Sequence, residues 1–161
     1  MGNKTNIKTI MSQAINQARN TMNQDLGGPF GAAVIDDDGV ILSVASNSVL
    51  ADQDPTAHAE VNAIRQAAIK KGTHDLTGCT LITTAYPCPM CLGATIWANI
   101  KTIYYGANSR DAEAIGFRDD FIYRFIKGDC KDISVLEIKE YERNACLGLF
   151  KEYKDKNKTL Y

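Results

Sequence analysis

An α/β fold, a three-layer α/β/α sandwich around a mixed sheet of about five strands, is predicted by three features of the sequence. These are an opening stretch of helical periodicity, two strand-like runs joined by an acidic turn, and two more strand-like runs separated by a segment of helix length.

Taken in order, Ile7, Ile10, Met11, Ala14, Ile15, Ala18 and Met22 recur at three- and four-residue steps, which lines one face of an amphipathic helix that Gly27 and Gly28 end. FGAAVI and VILSVA then flank Asp36-Asp37-Asp38-Gly39, a turn cluster of the kind that joins antiparallel strands. After the loop NSVLADQDPT, the segment AHAEVNAIRQAAIKKG carries Ala59, Ala63 and Ala67 at helical spacing. Thr56 is its expected N-cap, and Lys70, Lys71 and Gly72 mark its end. CTLITTA and KTIYYGA enclose PCPMCLGATIWAN, a strand, helix, strand crossover that implies a parallel pair. DDFIYRFI reads as a short helix, ISVLEIKE as a last strand and ERNACLGLFKEYKDKNK as a terminal helix weakened by Gly148. No repeat or linker interrupts the pattern, so a single domain over residues 1–161 is expected.

Composition narrows the class. The 161 residues are 45% apolar and 23% charged, ordinary for a folded globular chain. No apolar leader or membrane-length run is present, and five cysteines are too few and uneven for a disulfide scaffold, so a cytoplasmic protein without a membrane partner is expected. A net charge of -1 disfavours a nucleic-acid partner, and the lysines of the KEYKDKNK tail read as a solvated helix face.

Chemistry concentrates at three places. Cys88-Pro89-Met90-Cys91 sets two thiols one helical turn apart, close enough to share a metal, although a lone CxxC also fits a redox dithiol. His58, at an expected helix start, offers a third ligand, and three protein ligands leave a zinc ion one open position for water. The positive end of a helix dipole near each ligand group favours thiolate. Glu60 is the natural partner for that water, yet residues two apart on a regular helix diverge, so spacing alone does not join His58 and Glu60 in one site. Cys79, Cys130 and Cys146 read as small buried hydrophobes and His74 as a surface residue.

His58-Ala59-Glu60 followed by Pro87-Cys88-Pro89-Met90-Cys91 resembles the zinc deaminases of the cytidine deaminase superfamily. The resemblance implies a Zn2+ cofactor on His58, Cys88 and Cys91, with Glu60 as the catalytic proton carrier. Residues 27–32, 54–61, 87–94 and 116–123, together with the terminal Tyr161, are similar to the bacterial guanine deaminases. That likeness implies hydrolysis of guanine to xanthine and ammonia. It makes Phe30, Asn47, Ala57, Trp97, Asp119 and Tyr161 the candidate substrate contacts. Phe30 and Trp97 would wall a purine, Asn47 would meet its edge, and the Asp119 carboxylate would accept from its N–H groups. Plain structural roles compete: Trp97 as core packing, Asn47 as a turn residue, Asp119 as a helix cap. The likeness also implies a homodimer in which a C-terminal segment, about residues 140–161, is exchanged so that Tyr161 closes the partner's pocket.

One position departs from the pattern: Tyr86 stands where a glutamate is expected before Pro87. This keeps guanosine, an aminopterin or a cytosine-like base open as substrates. A transfer RNA adenosine deaminase would need a basic surround that the net charge disfavours, and a non-catalytic zinc module would need a fourth ligand that the sequence does not offer.

Overall fold

Asn6 opens the first helix by accepting the Lys8 N–H on its side chain, in the computed structural model, which describes residues 6–161. From there the elements run α1 (Ile7–Asn23), β1 (Gly31–Ile35), β2 (Ile41–Ser46), α2 (Val49–Asp52), α3 (Ala59–Lys71), β3 (Thr80–Ala85), α4 (Pro89–Trp97), β4 (Thr102–Ala107), α5 (Ser109–Ala114), α6 (Asp120–Lys127) and α7 (Arg143–Asp155). The described chain forms two compact units, one ending at Asp120 and the other covering Phe121–Tyr161.

In the first unit the sheet has the order β2-β1-β3-β4. β1 pairs antiparallel with both β2 and β3, whereas β3 and β4 run parallel across α4, as the crossover pattern requires. β1 reads as an unbroken apolar run because both of its faces are covered. Ala32 and Val34 pack with Ala59, Ala63, Ala67 and Leu81 on one face. Ala33 and Ile35 pack with Ile10 and Ile82 on the other. The sheet is therefore sandwiched between α1 and α3, which gives the three expected layers. The small side chains of the α3 alanine stripe let that helix approach the sheet closely, and all three alanines are fully buried. Gly72 ends the helix in the left-handed conformation (φ 73°), its N–H donating to the Ala68 carbonyl at 2.9 Å.

The structure corrects the expected elements at several points. The sheet has four strands, not about five. Residues 133–140, expected as a last strand, form no ladder, and Ile133, Val135, Leu136 and Ile138 are exposed. Alternating apolar residues make a strand only where a neighbouring strand takes their backbone hydrogen bonds. Thr56 is not the cap of α3. It donates from its backbone N–H and its hydroxyl to Asp54 Oδ1, closing a turn, and His58 occupies the N-cap instead. Cys79 is buried as expected, but Cys130 and Cys146 are exposed. Along α1, Ile15 and Met22 are about half exposed, and Thr21 takes a buried place in the stripe. The short helices α2 and α5 have no sequence periodicity to announce them; α5 is held by a capping box between Asn108 and Asp111. Among the described residues no helix is long and apolar enough to cross a membrane.

Candidate active site

Two helix starts face each other at the ends of the sheet. His58 is the N-cap of α3, with extended backbone at φ -70°, ψ 154°, and Cys88 is the N-cap of α4, followed by Pro89 in the first turn. Because His58 lies outside the helical turn, its ring is not bound by the helical phase that would send it away from Glu60. That removes the obstacle which the two-residue spacing presented.

His58 Nδ1 lies 3.6 Å from the Cys88 sulfur and 3.6 Å from the Cys91 sulfur. The three ligand atoms fall within 4.8 Å of one another. One ring nitrogen faced by two sulfurs is a poor hydrogen-bond arrangement, since a single lone pair or proton must serve both. It is a good coordination arrangement: tetrahedral zinc, with bonds of about 2.3 Å to sulfur and about 2.1 Å to nitrogen, separates those atoms by about 3.6 Å. The residues present therefore fit a zinc ion. No fourth ligand joins the cluster among the described residues, which is the pattern of a catalytic rather than a structural site.

Charge in the cluster is unevenly shared. A hydrogen bond from Cys91 and the neighbouring His58 pull the Cys88 thiol down to about 4, so it is a thiolate at neutral pH. Cys91, buried beside the Cys88 thiolate, is pushed far upward and keeps its proton. The hydrogen bond with Cys88 raises the His58 imidazole. A dicationic metal displaces these shared protons, the usual coupling between thiolate ligation and proton release.

Glu60, in the first turn of α3, is only 6% exposed. Its Oε1 accepts from the Thr83 hydroxyl at 2.9 Å and its Oε2 from the Cys91 thiol at 3.4 Å. Burial raises the Glu60 carboxyl above the ordinary carboxylate range. A carboxyl in direct contact with the ligand cluster, and made readier to hold a proton, has the properties of a proton carrier.

Phe30 meets Phe117 edge to face, ring centroids 4.9 Å apart. Gly28 lies beneath both rings: a Cβ there would stand 3.0 Å from Phe30 and 3.1 Å from Phe117. Asn47 is buried, donates its backbone N–H to the Phe30 carbonyl, and accepts on Oδ1 from the Gly28 and Val49 N–H groups. Its turn role is therefore real, and it leaves the amide nitrogen as the end that can meet a ligand. Ala57 is buried, with its carbonyl accepting from Ser48 N–H. The Asp119 carboxyl is raised by burial and by the charge of Cys88. Tyr86 packs edge to face on Tyr105, ring centroids 5.1 Å apart, with its N–H donated to the Ala107 carbonyl. Trp97 ends α4 with 76% of its surface exposed, which removes the core-packing reading, and Tyr161 is 85% exposed. Phe117 and Thr83 were not singled out from sequence. Phe117 lies within residues 116–123 with nothing in its residue type to mark it, and Thr83 is indistinguishable from any β-branched strand residue.

Fold and cluster define a zinc-binding hydrolase of the α/β class. Residues 4–107 match the cytidine and deoxycytidylate deaminase zinc-binding region, and the chain belongs to that family. It is 46% identical over 121 residues to the guanine deaminase of Bacillus subtilis (strain 168), a match covering 75% of this chain and 77% of that protein. The X-ray structure of guanine deaminase from Bacillus subtilis superposes with a TM-score of 0.87 at 36% identity, covering 98% of this chain and 99% of that one. The guanine deaminase from Nitrosomonas europaea is also similar, with a TM-score of 0.64 at 37% identity over 68% of this chain and 63% of that chain.

Proposed function

We propose that this chain is a zinc-dependent aminohydrolase that converts guanine and water to xanthine and ammonia. The likeness to guanine deaminases over almost the whole chain supports the substrate. The observation that carries the reading is the buried Glu60 carboxyl in contact with the His58, Cys88 and Cys91 cluster, in a chain similar over 98% of its length to a guanine deaminase structure.

His58, Cys88 and Cys91 would hold the zinc, which when bound would supply the Lewis acidity that makes a water acidic enough to lose a proton near neutral pH. Glu60 takes the proton of the attacking water and returns it to a ring nitrogen beside the amino-bearing carbon. The new carbon–oxygen bond saturates that carbon; a second proton passed through the same carboxyl goes to the amine, the carbon–nitrogen bond breaks, and ammonia leaves behind a carbonyl. Phe30 supplies one face for the ring, and the Asn47 amide and Asp119 carboxylate fix its edges, with Ala57 beside them. Trp97 and Tyr161 complete the enclosure.

Because Trp97 and Tyr161 are exposed in the single chain, enclosure calls for a second copy. The reading therefore includes a homodimer in which residues from about 140 to 161 are exchanged, and apolar side chains on α7, Leu149 and Phe150, are exposed as such an exchange requires. Five cysteines without a disulfide suit a reducing cytoplasm.

The deciding experiment is ammonia release by the zinc-loaded protein across guanine, guanosine, adenine, cytosine, pterins and transfer RNA. Guanine as the preferred substrate is expected; preference for any other member of the panel overturns the assignment.

A further inference from the structure

We propose that Thr83 is a positioning residue for Glu60, its hydroxyl fixing Oε1 so that Oε2 stays aimed at the metal cluster. The inference rests on Glu60 being the proton carrier.

Thr83 lies in β3, fully buried, paired with Ala32 of β1 and Tyr105 of β4. It shares a sheet face with Leu81, two residues earlier, and Leu81 packs into the apolar cluster under α3. The side chains of that cluster are apolar, and at position 83 valine would fill the same space as threonine without a hydroxyl to satisfy. The hydroxyl therefore needs its own reason. It donates to Glu60 Oε1 at 2.9 Å, while the Ala85 carbonyl lies at 3.2 Å. With one proton to give, the shorter contact to a charged acceptor is the stronger.

The other side-chain donor to this carboxylate is the Cys91 thiol, on Oε2. A Cys91 that ligates zinc does so as thiolate and has no proton left to donate. In the loaded enzyme Thr83 is thus the side-chain donor that remains, and Oε2 is freed toward the cluster. Glutamate has three rotatable torsions, so a carboxylate without this anchor is spread over positions that do not face the reacting atoms, and small misplacements of a catalytic group are costly in rate.

The test compares zinc-loaded Thr83→Val and Thr83→Ser with the wild type. Losing an outer partner of this kind costs about ten- to a hundredfold, so Thr83→Val should lower kcat for guanine by that factor. KM and zinc content should stay near the wild-type values, and Thr83→Ser should restore most of kcat. The crystal structure of zinc-loaded Thr83→Val should show the Glu60 carboxylate displaced. Wild-type kcat in Thr83→Val beside an inactive Glu60→Gln overturns the proposal, as does a serine variant no better than valine. If the wild type releases no ammonia from guanine, the substrate reading fails on its own and the crystallographic arm decides: an unmoved Glu60 carboxylate overturns the proposal.

Discussion

Cys91 donates its thiol proton to Oε2 of Glu60 across 3.4 Å, so a metal-ligand candidate and the candidate proton carrier are in direct contact. They come from different helices, α4 and α3, and only the approach of the two helix starts brings them together. Metal binding and proton transfer are therefore adjacent in space but assigned to different side chains, and substitution can separate them.

Glu60→Gln keeps the shape of the side chain and an oxygen that Thr83 can donate to, but an amide cannot carry the proton. The variant should retain one zinc per chain by elemental analysis and the wild-type melting temperature within a few degrees. Turnover should fall by about two to four orders of magnitude, the usual worth of a general acid–base group. Turnover at the wild-type rate would remove Glu60 from the chemistry.

Cys91→Ser tests the ligand set. A hydroxyl is a far weaker zinc donor than thiolate at neutral pH, and Cys91 is fully buried in α4. Zinc content should fall, with activity falling in parallel, and added zinc should restore activity only in excess. Stoichiometric zinc in the purified variant would contradict the assignment.

The long elements were legible in the sequence because their patterns follow from local geometry. The α3 alanine stripe, the Gly72 stop and the strands on either side of α4 all stand where spacing predicts. What failed depended on partners at a distance. Ile133 to Ile138 have a strand-like composition but no ladder, and Cys130 and Cys146 have a buried residue type at exposed positions. The ligands were legible as residue types, and the N-cap geometry of His58 was not, because Thr56 is the better cap by propensity. Thr83 was invisible for a related reason: a threonine in a strand is ordinary until its neighbour across the layer is known to be a carboxylate.

The glycines separate site from scaffold. At Gly28 a methyl group would press on the Phe30 and Phe117 rings at 3.0 and 3.1 Å, a contact that ring movement can relieve. Gly28→Ala should raise KM for guanine severalfold with little loss of stability. At Gly31 the methyl would stand 2.0 Å from the Ala14 carbonyl oxygen, where backbone of β1 meets backbone of α1. Gly31→Ala should therefore cost about 3 kcal/mol or more, at the upper end of single-substitution effects, read as a lowered denaturant midpoint. Equal behaviour of the two variants would show that the Gly28 wall does not bear on substrate.

Removing Tyr161 should depress turnover while zinc content is unchanged, because Tyr161 is remote in sequence from every ligand and belongs to the unit that follows Asp120. Deletion alone does not say whose site the tail serves. Mixing does. A Glu60→Gln chain keeps its tail, and a Tyr161-deleted chain keeps its Glu60, so each is defective alone. If tails are exchanged, a mixed dimer holds one site with an intact Glu60 from one chain and an intact tail from the other. Random pairing after unfolding and refolding together should then recover about a quarter of the wild-type sites in a two-fold dimer. If each tail closes its own chain's site, every site in the mixture lacks one component or the other, and ammonia release stays at the sum of the two defective proteins.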